Sequence, residues 1–187
     1  MLKKIFSLFV ATLTLCAPVG AVSVRLVALN EVIDSAAIVF QGTCTGNRIE
    51  RDTTTNLIVT YTTFAVSDHL KGDVSSVHTI KQIGGEMPAG ELSFKVSGVP
   101  NFVVGEEYVV FLAGVSAAGF SSPVGLAQGK FFVQTIPAGK QVSNGRDFRT
   151  MMLTPPSAAV PDAKGQAQFL GLDDFKQIVR ARVAGQQ

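Results

Sequence analysis

The chain holds two histidines, His69 and His78, on either side of the short stretch Leu70-Lys71-Gly72-Asp73. If that stretch turns a hairpin, the two imidazoles come near each other. Zinc needs about four ligands, and the local candidates for the rest are Asp68 and Asp73. No His-Glu-x-x-His, no paired-cysteine spacing and no calcium loop is present. The histidines are therefore expected to be satisfied or solvent-facing, and no metal is expected. Nucleophilic catalysis fares no better. Gly114 to Gly119 reads GVSAAG, one residue too many for a Gly-x-Ser-x-Gly elbow. Glu106 and Glu107 are adjacent, so on a strand they point to opposite faces and cannot act as a carboxylate pair. Gly84-Gly85 and the pair Gly125 and Gly129 lack the lysine and helix context of a phosphate loop, and are expected to be corners of the fold. Phe40, Tyr61 and Phe64 with Lys71 or Lys81 would suit a stacking platform for single-stranded nucleic acid, but core packing is the expected role. The protein is expected not to be an enzyme and to use no cofactor.

The two cysteines raise a different question, because Cys16 lies near the N-terminus. Lys3 and Lys4 precede an apolar run from Ile5 to Leu15, too short for a membrane span, and Val19-Gly20-Ala21 follows with small residues where a signal peptidase needs them. A lipid-modified cysteine wants a small residue before it, and Leu15 is large. Residues 1–21 are expected to be a signal peptide, the mature chain to begin at Val22, and the protein to be exported to a periplasm or the extracellular space. Cys44 is then the lone cysteine. No intramolecular disulfide is possible, and the hydrophobic core must hold the domain. Cys44 itself is expected to be a small buried residue at a strand end.

The formal surplus of +2 disappears with Lys3 and Lys4. A balanced mature chain argues against nucleic acid and against an acidic membrane surface as partners. No further apolar run is long enough to span a bilayer.

The elements that would position these residues follow from periodicity. Val27 to Ala36 carries apolar residues at helical spacing. Ala37 to Thr43 reads as a strand, Asn47 to Asn56 as an exposed polar loop, and Leu57 to Leu70 as one long β-branched and aromatic strand. Val74 to Ile83 is another strand, ended by Gly84-Gly85. Leu92 to Val96 alternates, and Tyr108 to Val115 reads as a strand buried on both faces. Gly129 suggests a bulge before the strand that ends at Ile136. Asn144-Gly145 signals a hairpin. Thr154 to Gln168 is rich in Pro and Ala, a linker. Leu172, Phe175, Val179 and Val183 then form one face of a terminal helix with Asp173 and Asp174 in its first turn. The expected fold is mainly β: a small closed OB-like β-barrel over residues 22–153, with a short N-terminal helix and an extra C-terminal hairpin, followed over 154–187 by the linker and an amphipathic helix.

Three blocks in this order, "SAAIVFQGTCTGNR" from Ser35, "YTTFAVSDHLKGD" from Tyr61 and "VGEEYVVFLAG" from Val104, resemble the netrin-like module and the tissue inhibitors of metalloproteinases. The match runs from about Ala28 to Gly114. The resemblance implies a five-stranded OB-type barrel, an architecture that binds along its exposed strand face and loops, and the expected function is an exported module that docks on a protein, a protease among the candidates, through its N-terminal segment and strand edges. In the inhibitors a disulfide-bonded N-terminal cysteine chelates the catalytic zinc. Here Val22 would stand first, without a disulfide to hold it. The positions expected to meet a partner are Val22, Ser23, Val24, His69 and Lys71. The alternative is a structural or accessory protein of the cell envelope, without inhibitory activity.

Intact-mass spectrometry of the exported protein should give a chain starting at Val22. A mass starting at Cys16, with or without lipid, would overturn this cleavage site.

Overall fold

The computed structural model describes residues 25–87, 93–152 and 168–186. The expected signal peptide, the candidate residues Val22, Ser23 and Val24, and the Pro/Ala-rich linker lie outside them.

Helix α1 (Leu29–Ser35) buries Leu29, Val32 and Ile33, the apolar stripe of its sequence. Strand β1 (Ile38–Arg51) follows and pairs antiparallel with β2 (Ile58–Lys71). β1 runs well into the stretch expected to be a loop. Asn47, Arg48, Ile49 and Glu50 all have partners on β2, so polarity there marks a strand with a solvated face, not a turn. The turn itself is shorter. Asp52 accepts from the Thr55 backbone N–H and hydroxyl at 2.8 and 2.7 Å, and Asn56 takes the left-handed conformation at φ 58°, which asparagine tolerates.

β3 (Val77–Ile83) continues the meander. A separate two-stranded piece, β4 (Gly85–Glu86) with β5 (Ser93–Phe94), lies beyond it. β6 (Glu107–Leu112) returns to pair with β1. A 3-10 turn (Leu126–Gly129) leads into β7 (Lys130–Ile136), which pairs with β8 (Gly139–Ser143). A short helix α2 (Phe148–Met152), the two-residue β9 (Leu170–Gly171) and helix α3 (Leu172–Ala184) complete the described chain. The main sheet is antiparallel, seven strands in the order β3-β2-β1-β6-β7-β8-β9.

The mainly β class is as expected, but the closed barrel is not. No ladder among the described residues joins the two ends of the sheet. The sheet does curl. β1 carries register shifts near Val39, Gln41 and Cys44, and bulges bend a strand and increase its twist. The curl lets one short segment reach both β3 and β6: Ser121 N–H donates to the Lys81 carbonyl at 3.0 Å, and Val124 N–H to the Phe111 carbonyl at 2.8 Å.

Two further expectations are corrected. Asn144-Gly145 does not turn a hairpin; the β7–β8 turn is at Pro137-Ala138. Asn144 instead donates from Nδ2 to the Gln128 carbonyl at 3.0 Å and accepts from Arg146 N–H at 3.1 Å, and Asp147 accepts from Arg149 N–H at the start of α2. The helical spacing of Phe148 and Met151, both buried, wins over the dipeptide signal. Gly129 closes the 3-10 turn rather than forming a bulge; a Cβ there would lie 2.8 Å from Val124 backbone atoms and 2.9 Å from the Phe111 carbonyl oxygen.

Alternation along β1 and β6 divides the interior into two cores. Val39, Val109 and Phe111 face one, with the three helices and β7–β8; Phe40, Tyr108, Val110 and Leu112 face the other, with Phe64 and Ile80. β6 is buried on both faces, as its sequence implies. In the first core α3 contributes Leu172, Phe175 and Val179. The Phe175 ring lies 4.8 Å from that of Phe131 and within 6.0 Å of Phe111 and Phe148. The terminal helix is thus an integral layer of the fold. Ion pairs reinforce it: Asp68 on β2 accepts from Lys176 at 3.1 Å and Arg180 at 2.8 Å, and Asp34 accepts from Arg182 at 2.8 and 2.5 Å.

Replacing Phe175 with Ala should destabilise the protein by about 3–5 kcal/mol in urea unfolding, the usual effect of emptying a buried aromatic site. Unchanged stability would mean that α3 does not belong to this core.

Candidate functional site

On the concave face of β1, β2 and β3, apolar residues give way to polar ones toward the β1–β2 turn. Phe64 and Ile80 are fully buried in the inner core. Farther along the same face stand Thr62, Thr60, Asn47 and Gln82, paired across the strands as Asn47 with Thr62 and Thr60 with Gln82. These residues line a cavity of about 410 Å³, whose remaining walls come from Ile49, Ile83 and the segment Phe94–Phe102. That volume falls in the range of roughly 300–1,000 Å³ typical of ligand sites.

The segment that walls the cavity is held from several sides. Phe102 packs edge-on against Phe64 at 5.0 Å and Tyr108 at 5.1 Å. Its carbonyl accepts from Asn47 Nδ2 at 2.8 Å, and Val103 N–H donates to the Tyr108 hydroxyl at 3.0 Å. The half-buried Lys130 ammonium lies 5.1 Å and 4.8 Å from the Phe102 and Tyr108 ring centres and donates to the Asn101 carbonyl. Burial lowers its pKa. At the far end Gly84 and Gly85 let the chain cross close over the sheet. Gly84 has φ 94°, and a Cβ on Gly85 would stand 2.7 Å from the Ile49 side chain and the Thr60 hydroxyl.

Most of the polar capacity in the cavity is already used. The Thr60 hydroxyl donates to the Gly84 carbonyl and the Thr62 hydroxyl to Asn47 Oδ1, both at 2.7 Å. Gln82 differs. It is 2% exposed, and among the described residues its Nε2 has no hydrogen-bond partner. Leaving a buried donor unpaired costs about 1–3 kcal/mol. The charged groups at the cavity, Glu86 and Lys95, are exposed and pair with each other at 3.6 Å.

Next to Gln82, Lys81 braces β3. Its ammonium is 2.8 Å from Asp52 Oδ1, donates to the Ala118 carbonyl at 2.9 Å, and lies 4.7 Å from the Phe120 ring centre. The lysine hydrogen bond, helped by Thr55, lowers the Asp52 pKa to about 2.

The residues singled out in the sequence do not meet here. His69 is exposed and opposite Phe40 on β1. His78 is half-buried, its ring 5.5 Å from that of Phe40, and burial lowers its pKa. Among the described residues no group of three His, Cys, Asp or Glu could hold a metal ion. Lys71 donates to the Ile33 and Asp34 carbonyls at 2.7 and 3.2 Å, where it caps the C-terminal end of α1. Phe40 and Phe64 are fully buried, so with Tyr61 they cannot form an exposed stacking platform. Cys44 is buried beside them, and desolvation raises its pKa. Glu107 pairs with Lys140 at 2.7 Å over a shallower depression of about 620 Å³.

Asn47, Thr62 and Gln82 were not anticipated. The available signal was the alternate-residue series Phe64, Thr62, Thr60 and Ile80, Gln82, in which an inward face turns polar. No family model, curated protein or solved structure matches the chain. No described helix is long and apolar enough to cross a membrane.

The lowered Asp52 pKa sets a sign for pH dependence. Its contribution to stability is full above the ordinary carboxylate pKa of about 4 and is lost as the pH falls toward about 2. Thermal melts of the protein and of Asp52→Asn should therefore differ most near neutral pH and converge on acidification; a gap that stays constant down to pH of about 2 would contradict the pairing with Lys81.

Proposed function

We propose that this protein is an exported, non-enzymatic binding module that seats an extended segment of a partner protein in the cavity between β1–β3 and the Phe94–Phe102 segment. One observation carries the reading: a neutral amide-and-hydroxyl floor lies between apolar walls, with its buried Gln82 donor unpartnered. Peptide chains present neutral amides and apolar side chains in alternation, and such a surface complements them. The resemblance in sequence to the netrin-like module points to the same class. In this proposal the curl of β1, β2, β3 and β6, bridged by Ser121–Val124, plays the part of that module's barrel. This function does not include inhibition of a zinc protease through a terminal amine. A mature end at Val22 would have no disulfide to order it, and ordering it would cost binding energy.

A photo-crosslinking residue at Phe94, which is 40% exposed at the cavity, should yield a discrete protein adduct in the producing cells. The same group at Val115, 67% exposed and outside the cavity lining, should not. Equal labelling from both positions, or none from Phe94, would sink the proposal.

A further inference from the structure

Resting on the protein-binding reading above, we infer that Gln82 is the specificity contact of the cavity and takes the carbonyl oxygen of a neutral peptide amide through its Nε2. Thr60 and Thr62 have committed their hydroxyl protons, to Gly84 and Asn47. Asn47 Nδ2 already donates one proton to Phe102. Of the buried side chains that line the cavity, Gln82 is the one whose donor, Nε2, has no partner among the described residues, on a side chain 2% exposed. Such a donor selects a partner that brings an acceptor oxygen into a largely apolar enclosure, because any ligand without one leaves the donor unpaired.

Three kinds of oxygen compete. A carboxylate is the strongest acceptor, but it would have to shed its water beside Ile49, Ile83 and Phe102, and Lys95 is already engaged with Glu86 at the rim. An N-acetylated sugar has the amide, but its several hydroxyls would also have to shed water beside Ile49, Ile83 and Phe102. A peptide unit brings an amide carbonyl for the Gln82 donor and an N–H that a threonine oxygen can accept, flanked by side chains that suit Ile49, Ile83 and Phe102. Gly84 brings the chain close to the Phe94 backbone and Gly85 close to Ile49 and Thr60, and the lining runs from Phe94 to Phe102 along the cavity, a path that an extended chain can match.

The test is nuclear magnetic resonance titration of the full exported chain with N-acetyl-leucine-N-methylamide, N-acetylglucosamine and acetate. The capped leucine is expected to shift the Gln82 side-chain amide resonances saturably, and to bind at least about ten-fold tighter than the other two. Gln82→Met, which keeps the side-chain length and removes the donor, should weaken capped-leucine binding about ten-fold while leaving the backbone spectrum in place. If that variant does not fold, the Gln82 resonances of the unaltered protein still decide the matter. Tighter binding of N-acetylglucosamine would make this a sugar site, and tighter binding of acetate an anion site; either overturns the inference, as does the absence of a saturable shift at Gln82. A Phe94 adduct formed while Gln82 stays unshifted overturns this inference and spares the protein-binding reading. A Gln82 shift without any adduct does the reverse.

Discussion

Strand β6 has to be apolar on both sides, and the rest of the molecule follows from that constraint. Val109 and Phe111 face one way, Tyr108, Val110 and Leu112 the other, and all are buried. An antiparallel sheet commonly leaves one face to water; this one cannot at its centre. Helices α1, α2 and α3 cover the outer side. The inner side is covered by curling β1, β2 and β3 back over it and by folding Phe94–Phe102 across the opening. Apolar burial on both faces is worth roughly 25 cal/mol per Å² of surface removed from water, and it compensates for a chain whose lone described cysteine is free.

The inner core does not fill the whole curl. It is densely aromatic around Phe40, Phe64, Phe102 and Tyr108, then passes into hydroxyl and amide groups near the β1–β2 turn. Buried polar groups in proteins are nearly always paired. Thr60, Thr62 and Asn47 obey that rule, and Asn47 in doing so fastens Phe102 of the covering segment to the sheet. Gln82 does not, and an unpaired group in an otherwise satisfied network draws attention to function rather than stability. The ion pair between Lys81 and Asp52 stands beside it and ties β3 to the turn, so the strand that carries Gln82 is anchored at the adjacent residue.

The charged surface serves the fold in much the same way. Lys71, a partner-binding candidate by sequence, is occupied with the carbonyls at the end of α1. Asp68 and Asp34 anchor α3. For Asp68, burial works against the charge, but hydrogen bonds from Lys176 and Arg180 outweigh it and lower its pKa. These contacts join residues far apart in the chain, and nothing in their local sequence sets them apart from solvated charges.

Local pattern was enough to read the β-rich class, the long second strand, the two-sided burial of β6, and the apolar face of α3, because each depends on the spacing of side chains within one element. It failed where tertiary contacts outvoted a local signal, as at Asn144-Gly145, where packing of Phe148 and Met151 made a helix, and along Asn47–Arg51, where pairing with β2 made strand of a polar stretch. The cavity lay wholly beyond its reach. Asn47, Thr62 and Gln82 come from three strands, and only the register set by the bulges of β1 and by the two cores puts them on one concave face. Whether a polar residue in a strand meets water or a pocket is decided by what folds over it, and here that is the segment Phe94–Phe102, held from across the sheet by Asn47, Tyr108 and Lys130.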